Sequence, residues 1–193
     1  MPIRFPLFLS SVSITAQLRL MALSVIPFLA APALAQSSGT LLEAYSPVSE
    51  AELRNPEPED WLMWRRTYDL SGHSPLNQIN RANVTNLSEA WSVPLGQGGN
   101  MTTPLIHDGV MFIADTSNLL LALDARTGAE LWRYQHESDN FDGRRIGVAL
   151  IEDLVIVPHN DLDVVALNVR TGAVEWEHSI ATPLESFAGP GYY

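Results

Sequence analysis

An eleven-residue segment occurs twice in this chain, 44 residues apart, and it restricts the fold more than any other feature. The first copy is ALDARTGAELW, residues 122–132, and the second is ALNVRTGAVEW, residues 166–176. The identical positions include Arg-Thr-Gly-Ala and the final tryptophan. Self-similarity at a fixed period of this length is typical of repeat architectures, in which each unit packs on the next.

The residues around each copy predict four short β-strands. PLIHDGVMFIA (104–114) and VALIEDLVIVP (148–158) are each two apolar runs separated by an acidic turn signal, which is typical of a hairpin. NLLLALD and LDVVALN supply a third strand, and the residues after Arg-Thr-Gly supply a fourth. Four strands in a 44-residue period, without a helical segment between them, predict an all-β fold built from β-propeller blades.

The spacing that both copies of the repeat share predicts how neighbouring blades are joined. Asp124 and Asn168 are short side chains that can accept hydrogen bonds from their own turn, and a glycine can adopt the positive φ that closes it. The tryptophan then lies on the outer strand, where an indole can pack between blades and donate its N–H to a backbone carbonyl. The residues assigned to this tryptophan docking are Trp91, Trp132, Trp176, Gly128 and Gly172.

The predicted propeller part covers residues 61–193. It comprises an outer strand ending at Trp91, a blade at 103–135, a blade at 147–180 and the start of a further blade. Propellers close with typically about four to eight blades. We therefore expect an incomplete propeller whose outer blades have bare faces, with the remaining blades missing.

Residues 1–35 predict a secretory signal peptide. Arg19 precedes a short apolar stretch, and the small-x-small tripeptide Ala33-Leu34-Ala35 ends it. An uncleaved membrane anchor is the alternative, but Pro27 and Pro32 interrupt a run that is short for a bilayer span. Secretion predicts a periplasmic protein.

Residues 36–60 are rich in Ser, Pro and Glu, and they predict a solvated linker with one short helix near residues 49–54. The remaining composition excludes several classes of function. The 158 residues after a cleaved signal would carry nine arginines and 22 acidic residues, so nucleic acid is not an expected partner. The absence of cysteine excludes disulfides, thiolate metal sites and cysteine nucleophiles.

Residues 60–91 resemble the amino-terminal region of the periplasmic quinoprotein alcohol dehydrogenases, which depend on pyrroloquinoline quinone (PQQ). The family pattern SPL-x-Q-I-N-x-x-N-V-x-x-L-x-x-x-W is matched by SPLNQINRANVTNLSEAW, and the two tryptophan-docking segments extend the resemblance over residues 60–193. It implies an eight-bladed propeller with PQQ near its axis and a calcium or lanthanide ion beside it. It also implies a small alcohol as substrate and a cytochrome c as electron acceptor.

The resemblance assigns few site residues to this chain. Many relatives carry a glutamate that contacts the quinone at the position of Met101, which departs from the pattern. An arginine that contacts the quinone in relatives corresponds to Arg145, or to Arg144 if the loop shifts. The paired cysteines of many relatives are missing. The metal ligands and the catalytic aspartate belong to later blades, so we predict no catalytic residue and no metal ligand here.

The histidines have no metal-ligand spacing, and we expect each of them at the surface or in a turn: His73, His107, His136, His159 and His178. His159 alone falls at the inner end of a strand, where propeller active sites gather. Two functional hypotheses follow. The first is the amino-terminal part of a PQQ-dependent alcohol dehydrogenase, inactive by itself. The second is a quinone-free propeller that binds or scaffolds periplasmic proteins. A truncated product without a stable fold is the third reading.

Overall fold

The structure is a computed structural model that describes residues 38–96, 101–138, 147–159 and 161–180. Every described residue belongs to one compact unit, Ala35–Tyr193. The predicted signal peptide lies outside the described residues. Within the described ranges, no helix combines the length and the apolar character that a membrane span requires.

Eight β-strands form two four-stranded antiparallel sheets, with the orders β1-β2-β3-β4 and β5-β6-β7-β8. The strands of the first sheet are β1 (Leu105–His107), β2 (Val110–Ala114), β3 (Leu119–Asp124) and β4 (Glu130–Gln135). Those of the second are β5 (Ala149–Ile151), β6 (Leu154–Pro158), β7 (Asp163–Asn168) and β8 (Val174–Ser179). The prediction of an all-β fold with one four-stranded blade per repeat is confirmed.

The two sheets repeat each other in register as well as in order. In each blade a register shift interrupts the pairing of the third and fourth strands, after Ala122 in the first blade and after Ala166 in the second. Both alanines are completely buried and face the tryptophan of the outer strand, Trp132 or Trp176. A small residue opposite each indole leaves room for the ring, which explains why the repeat begins with alanine.

Apolar side chains from both sheets form one hydrophobic cluster. Alternation along the strands produces it, as in β2, where the buried positions alternate with half-buried ones. Its strand residues include Leu105, Val110, Phe112, Leu120, Leu150, Val155, Val157, Val165 and Leu167. The cluster holds the two blades together as one core.

The segment that precedes the blades is not the solvated linker that its composition predicts. It forms two short helices, α1 (Ser38–Ala44) and α2 (Glu50–Arg54), and buries Tyr45 and Val48 in the core of the blades. Val48 pairs with Glu152 and Trp61 pairs with Ile106 in isolated antiparallel bridges. The few apolar residues of this segment are therefore the ones that anchor it.

Helix α2 confirms the short helix expected at residues 49–54. Ser49 caps it, because its Oγ accepts a hydrogen bond from the Glu52 N–H while the Glu52 carboxylate accepts one from the Ser49 N–H. This reciprocal capping box satisfies two backbone donors that the helix itself cannot. The composition gave no such signal for α1, which the prediction missed.

The outer strand predicted to end at Trp91 is absent. Residues 87–96 lie in neither sheet, and the nearest regular element before them is a 3₁₀ turn, Val84–Asn86. A strand requires a partner for its backbone groups. No strand among the described residues pairs with this segment, and its contact with the first blade is made by the side chain of Trp91.

Candidate functional site

The junction between the two blades is built around Trp132. Its indole Nε1 donates a hydrogen bond to the Val169 carbonyl oxygen at 2.8 Å, and the ring is 9% exposed. The ring also lies on Gly172, where a Cβ atom would come within 2.8 Å of Trp132 Cδ2. The tryptophan of one blade thus binds the Arg-Thr-Gly turn of the next, as the repeat predicts.

Trp91 makes the same contact with the first blade. Its Nε1 donates to the Ala125 carbonyl oxygen at 3.3 Å, and a Cβ atom on Gly128 would lie 2.6 Å from its ring. The contact between a tryptophan and the turn glycine is therefore repeated at the preceding repeat, although Trp91 is not on a strand. Trp176 occupies the corresponding place on β8 and is 41% exposed.

The turns that receive the indoles are closed as predicted. Asp124 Oδ1 accepts hydrogen bonds from the backbone N–H groups of Arg126 and Thr127, at 2.8 and 3.2 Å. Asn168 Oδ1 makes the equivalent bonds in the second blade, at 3.0 and 3.2 Å. The turn glycines have φ angles of 72° and 68°, which a residue with a Cβ atom adopts only with strain.

Polar groups gather at the opposite end of the strands. In the first blade Asp115 closes the β2–β3 turn, where its Oδ1 accepts hydrogen bonds from Ser117 and from the Leu119 N–H. Its Oδ2 accepts the Gly96 N–H at 2.8 Å, which attaches the segment after Trp91 to this turn. Burial opposes ionisation, but these hydrogen bonds hold the pKa of Asp115 below its usual value.

At the same end, the two blades meet in a cluster of His136, His159, Asp161, Asp163 and Tyr134. His136 Nε2 lies 2.8 Å from Asp161 Oδ2 and 3.9 Å from Asp163 Oδ2. The imidazole of His159 stacks on that of His136 with ring centroids 3.8 Å apart. Burial would raise the pKa of Asp161, but hydrogen bonds from Ser138 and His136 lower it to about 2. Asp161 is therefore a carboxylate.

A second buried histidine joins the N-terminal segment to the first blade. His107 Nδ1 lies 2.8 Å from Asp60 Oδ2, and its Nε2 lies 3.2 Å from the Ser46 carbonyl oxygen. Both neighbours are acceptors, so these contacts favour the protonated imidazole, in which both ring nitrogens donate. Burial lowers the pKa of His107, but the bond to Asp60 and its charge more than offset this, and the pKa is raised.

These contacts correct the expectation of a surface or turn position for His107 and His136, while His159, although buried, begins the turn between β6 and β7. His107 is 2% exposed, and His136 and His159 are each 6% exposed. The sequence holds one signal for His107, since it alternates with Leu105 on the buried face of β1. No sequence signal joins His136 to Asp161 and Asp163, which lie 25 and 27 residues further along the chain.

The two positions that the resemblance assigns to the quinone do not form a site among the described residues. Met101 is 65% exposed and precedes β1, and Arg145 and Arg144 lie outside the described residues. The prediction for these arginines stays a prediction.

Comparison with known proteins decides the family. The family model of the PQQ-dependent glucose/ethanol/alcohol dehydrogenase β-propeller domain matches residues 61–175. The chain belongs to the PQQ-dependent alcohol dehydrogenase family. Quinohemoprotein alcohol dehydrogenase ADH IIB of Pseudomonas putida is 36% identical over 154 residues, 75% of this chain and 22% of that protein. The dehydrogenase subunit of alcohol dehydrogenase (quinone) of Komagataeibacter europaeus is 34% identical, over 65% of this chain and 18% of that protein.

Solved structures of PQQ-dependent alcohol dehydrogenases share the fold. Quinohemoprotein alcohol dehydrogenase ADHIIG of Pseudomonas putida HK5 superposes with a TM-score of 0.65 and 32% identity, over 72% of this chain and 22% of that one. A europium-containing methanol dehydrogenase superposes with a TM-score of 0.58 and 27% identity, over 65% and 24% of the two chains. The present chain thus spans about a fifth of the length of the relatives it matches.

PQQ with a metal ion is the cofactor set of this dehydrogenase family. The described residues do not by themselves fit that set. The thioether of Met101 is a weak acceptor, and the polar groups that gather at one end of the blades include Asp115, Asp161 and Asp163. These carboxylates have the same charge sign as the carboxylates of PQQ, which they would repel. Binding of PQQ therefore needs residues beyond those described.

Proposed function

We propose that this chain forms the amino-terminal part of the propeller of a PQQ-dependent alcohol dehydrogenase. The assembled enzyme would oxidise a small alcohol and pass the electrons to a cytochrome c. One observation carries the proposal: the indole of Trp132 seats on the turn of the next blade at Gly172 and Val169. This contact joins adjacent blades, and it lies within the family match over residues 61–175.

The role of this chain in the enzyme is to supply blades and not the reacting groups. We propose that the 193-residue chain alone is inactive, because its described residues supply neither a fitting quinone site nor a catalytic aspartate of the family. Two blades are fewer than the roughly four to eight that close a propeller. The exposed ring of Trp176 and the outer face of β8 are then where the next blade docks.

We propose a periplasmic location for the protein. Residues 1–35 support it, because basic residues are followed by an apolar stretch and then by a small-x-small tripeptide. This is the order of segments in a secretory signal. N-terminal sequencing of the protein recovered from the periplasm should begin at Gln36. A mature protein that begins at Met1 and stays with the cytoplasm would contradict this part of the proposal.

A fragment complementation assay tests the enzyme function. The chain is combined with PQQ, Ca²⁺ and a fragment of the Pseudomonas putida relative ADH IIB that carries the remaining blades, and ethanol-dependent dye reduction is measured. We expect reduction only in the mixture and only with PQQ. Trp176→Ala should abolish it by removing the docking ring, whereas Trp64→Ala, which removes another exposed indole, should not.

Each other result has a defined meaning. Dye reduction by the chain alone would show that it holds a complete site, and the proposed inactivity would be wrong. Assembly of the fragments without any quinone-dependent reduction, even with La³⁺ in place of Ca²⁺, would contradict the dehydrogenase function and favour a quinone-free propeller. Equal activity of the Trp176→Ala variant would contradict the docking role of β8.

A further inference from the structure

We propose that His136, Asp161 and Asp163 form a binding site for a divalent first-row transition metal ion, such as Zn²⁺, at the junction of the two blades. His136 follows β4 of the first blade, while Asp161 lies between β6 and β7 of the second and Asp163 is the first residue of β7. One ligand atom from each of the three lies within 4.8 Å of the others. An ion held there would bridge the blades at the end opposite to Trp132.

The distances suit a small ion. Tetrahedral coordination with Zn–N and Zn–O bonds of about 2.1 Å places ligand atoms about 3.4 Å apart. His136 Nε2 lies 2.8 Å from Asp161 Oδ2 and 3.9 Å from Asp163 Oδ2, one slightly shorter and one slightly longer than that spacing. These two spacings differ from 3.4 Å by about 0.6 and 0.5 Å, so small shifts of the two carboxylates would seat the ion.

The histidine is held as a metal-binding imidazole should be. The other ring nitrogen, Nδ1, lies 3.3 Å from the Tyr134 hydroxyl oxygen, so Nδ1–H can donate there while Nε2 faces the carboxylates. The ring of His159 stacks on His136 at 3.8 Å with an interplanar angle of 23°, which fixes the plane of the imidazole. Rings oriented by such outer contacts lose little freedom when an ion binds.

Burial and charge favour a bound cation over the same acidic side chains without an ion. The side chain of His136 is 7% exposed, and those of Asp161 and Asp163 are 26% and 22% exposed. Two carboxylates held close together at partly buried positions repel each other, and together they carry a charge of −2. A divalent ion would offset all of it.

The donor set also selects the kind of ion. One imidazole nitrogen with two carboxylate oxygens suits Zn²⁺, Co²⁺ or Ni²⁺, whereas Ca²⁺ and the lanthanides take oxygen ligands only. The proposed site therefore differs in chemistry from the calcium or lanthanide site of the family. It does not depend on the proposed function, because both blades that form it are in this chain.

The competing explanation is a metal-free ion pair. In that case His136 Nε2–H donates to Asp161 Oδ2 at 2.8 Å. The carboxylate of Asp163, 3.9 Å from Nε2, takes no part in the bond. The two explanations differ in what they require of Asp163. A metal site uses its carboxylate as a ligand, while the ion pair does not need it.

The experiment is a titration of the full chain, freed of metal by EDTA, with Zn²⁺ by calorimetry and with Co²⁺ by visible absorption. We expect saturation at one ion per chain and tetrahedral Co²⁺ bands that Zn²⁺ abolishes and excess Ca²⁺ does not. Asp163→Asn keeps the shape and the His136–Asp161 pair. It should weaken binding by more than about tenfold, since even outer-shell losses cost that much.

Matched variants keep the test decisive. His178→Asn and His73→Asn remove exposed histidines and should leave the affinity unchanged. If Asp163→Asn does not fold, as judged by circular dichroism, Tyr134→Phe replaces it and should weaken binding by removing the Nδ1 partner. The proposal is overturned if no ion saturates, if Asp163→Asn binds as tightly as the wild type, or if Zn²⁺ shifts the NMR signals of His73 or His178 and not those of His136.

Discussion

The six-membered ring of Trp132 occupies the space where a side chain on Gly172 would begin. A Cβ atom there would lie 2.8 Å from Trp132 Cδ2 and Cε3, closer than such atoms approach in proteins. The glycine of the Arg-Thr-Gly turn is therefore required for two reasons. It closes the turn with a φ of 68°, and it leaves room for the indole of the preceding blade.

Gly172→Ala should destabilise the protein strongly. Left-handed backbone at alanine costs about 1–2 kcal/mol and overpacking against the ring about 1–3 kcal/mol, so we expect a loss of about 2–5 kcal/mol in the free energy of unfolding. Urea denaturation measures it. The control is Gly39→Ala in α1, where nothing lies within 4 Å of the added atom and no loss is expected. Equal stability of both variants would contradict the docking geometry.

Trp132 and Trp176 occupy the same position of the repeat but should respond differently to truncation. Trp132→Ala removes a buried ring and its bond to Val169, and we expect a loss of about 3–5 kcal/mol. Trp176 is 41% exposed, so Trp176→Ala should cost less than about 1 kcal/mol. Thermal unfolding of both variants checks the difference, and similar losses would show that β8 is covered.

The His107–Asp60 pair should make the stability depend on pH. The folded pKa of His107 is raised above its ordinary 6.5, so its stabilisation is complete below about pH 6.5 and is lost as the pH rises through the folded value. Asp108 and Glu52 add to this effect from nearby positions. We expect the free energy of unfolding to fall with increasing pH over this window, measured by urea denaturation at each pH.

Asp60→Asn should remove that pH dependence. It breaks a buried ion pair and should cost about 3–5 kcal/mol at low pH, with a smaller loss at high pH where the wild type has lost its advantage. His178→Asn removes an exposed histidine and should leave the pH profile of the wild type. A variant Asp60→Asn with an unchanged slope would show that another group titrates.

Arg170 should hold the N-terminal segment on the second blade. Its guanidinium donates to the Tyr45 carbonyl oxygen at 2.6 Å and to Asp153 Oδ1 at 2.5 Å. Hydrogen bonds from a charged group contribute about 1.5–3 kcal/mol, so Arg170→Gln should raise local opening about tenfold or more. A glutamate-specific protease should then cleave faster in residues 43–59. Arg126→Gln, the equivalent exposed position of the first repeat, should not change the rate.

Much of the fold could be read from the repeat because its signals are local. Asp124 and Asn168 bond to backbone groups two and three residues away, and the strand alternation needs only neighbours in sequence. The segment ending at Trp91 shows the limit of such reading. Its tryptophan docks as the pattern predicts, but a strand also needs a partner, which the pattern does not specify.

The candidate site was harder to predict because its contacts are distant in sequence. Asp60 and His107 are 47 residues apart, and His136 and Asp161 are 25 apart. Neither pair has a motif, since side chains that meet only after the blades assemble leave no fixed spacing. The anchoring of Tyr45 and Val48 was missed for the same reason, in a segment whose composition is otherwise that of a linker.

The sequence by itself determined the blade, the turn that closes it and the side chain that joins one blade to the next, because each is encoded within a few residues and repeated. Only the tertiary structure decided that Trp132 is buried while Trp176 is exposed, although both end the same segment. It also decided which histidines are buried beside carboxylates. The physical reason is that burial depends on what packs against a residue, and that neighbour lies elsewhere in the chain.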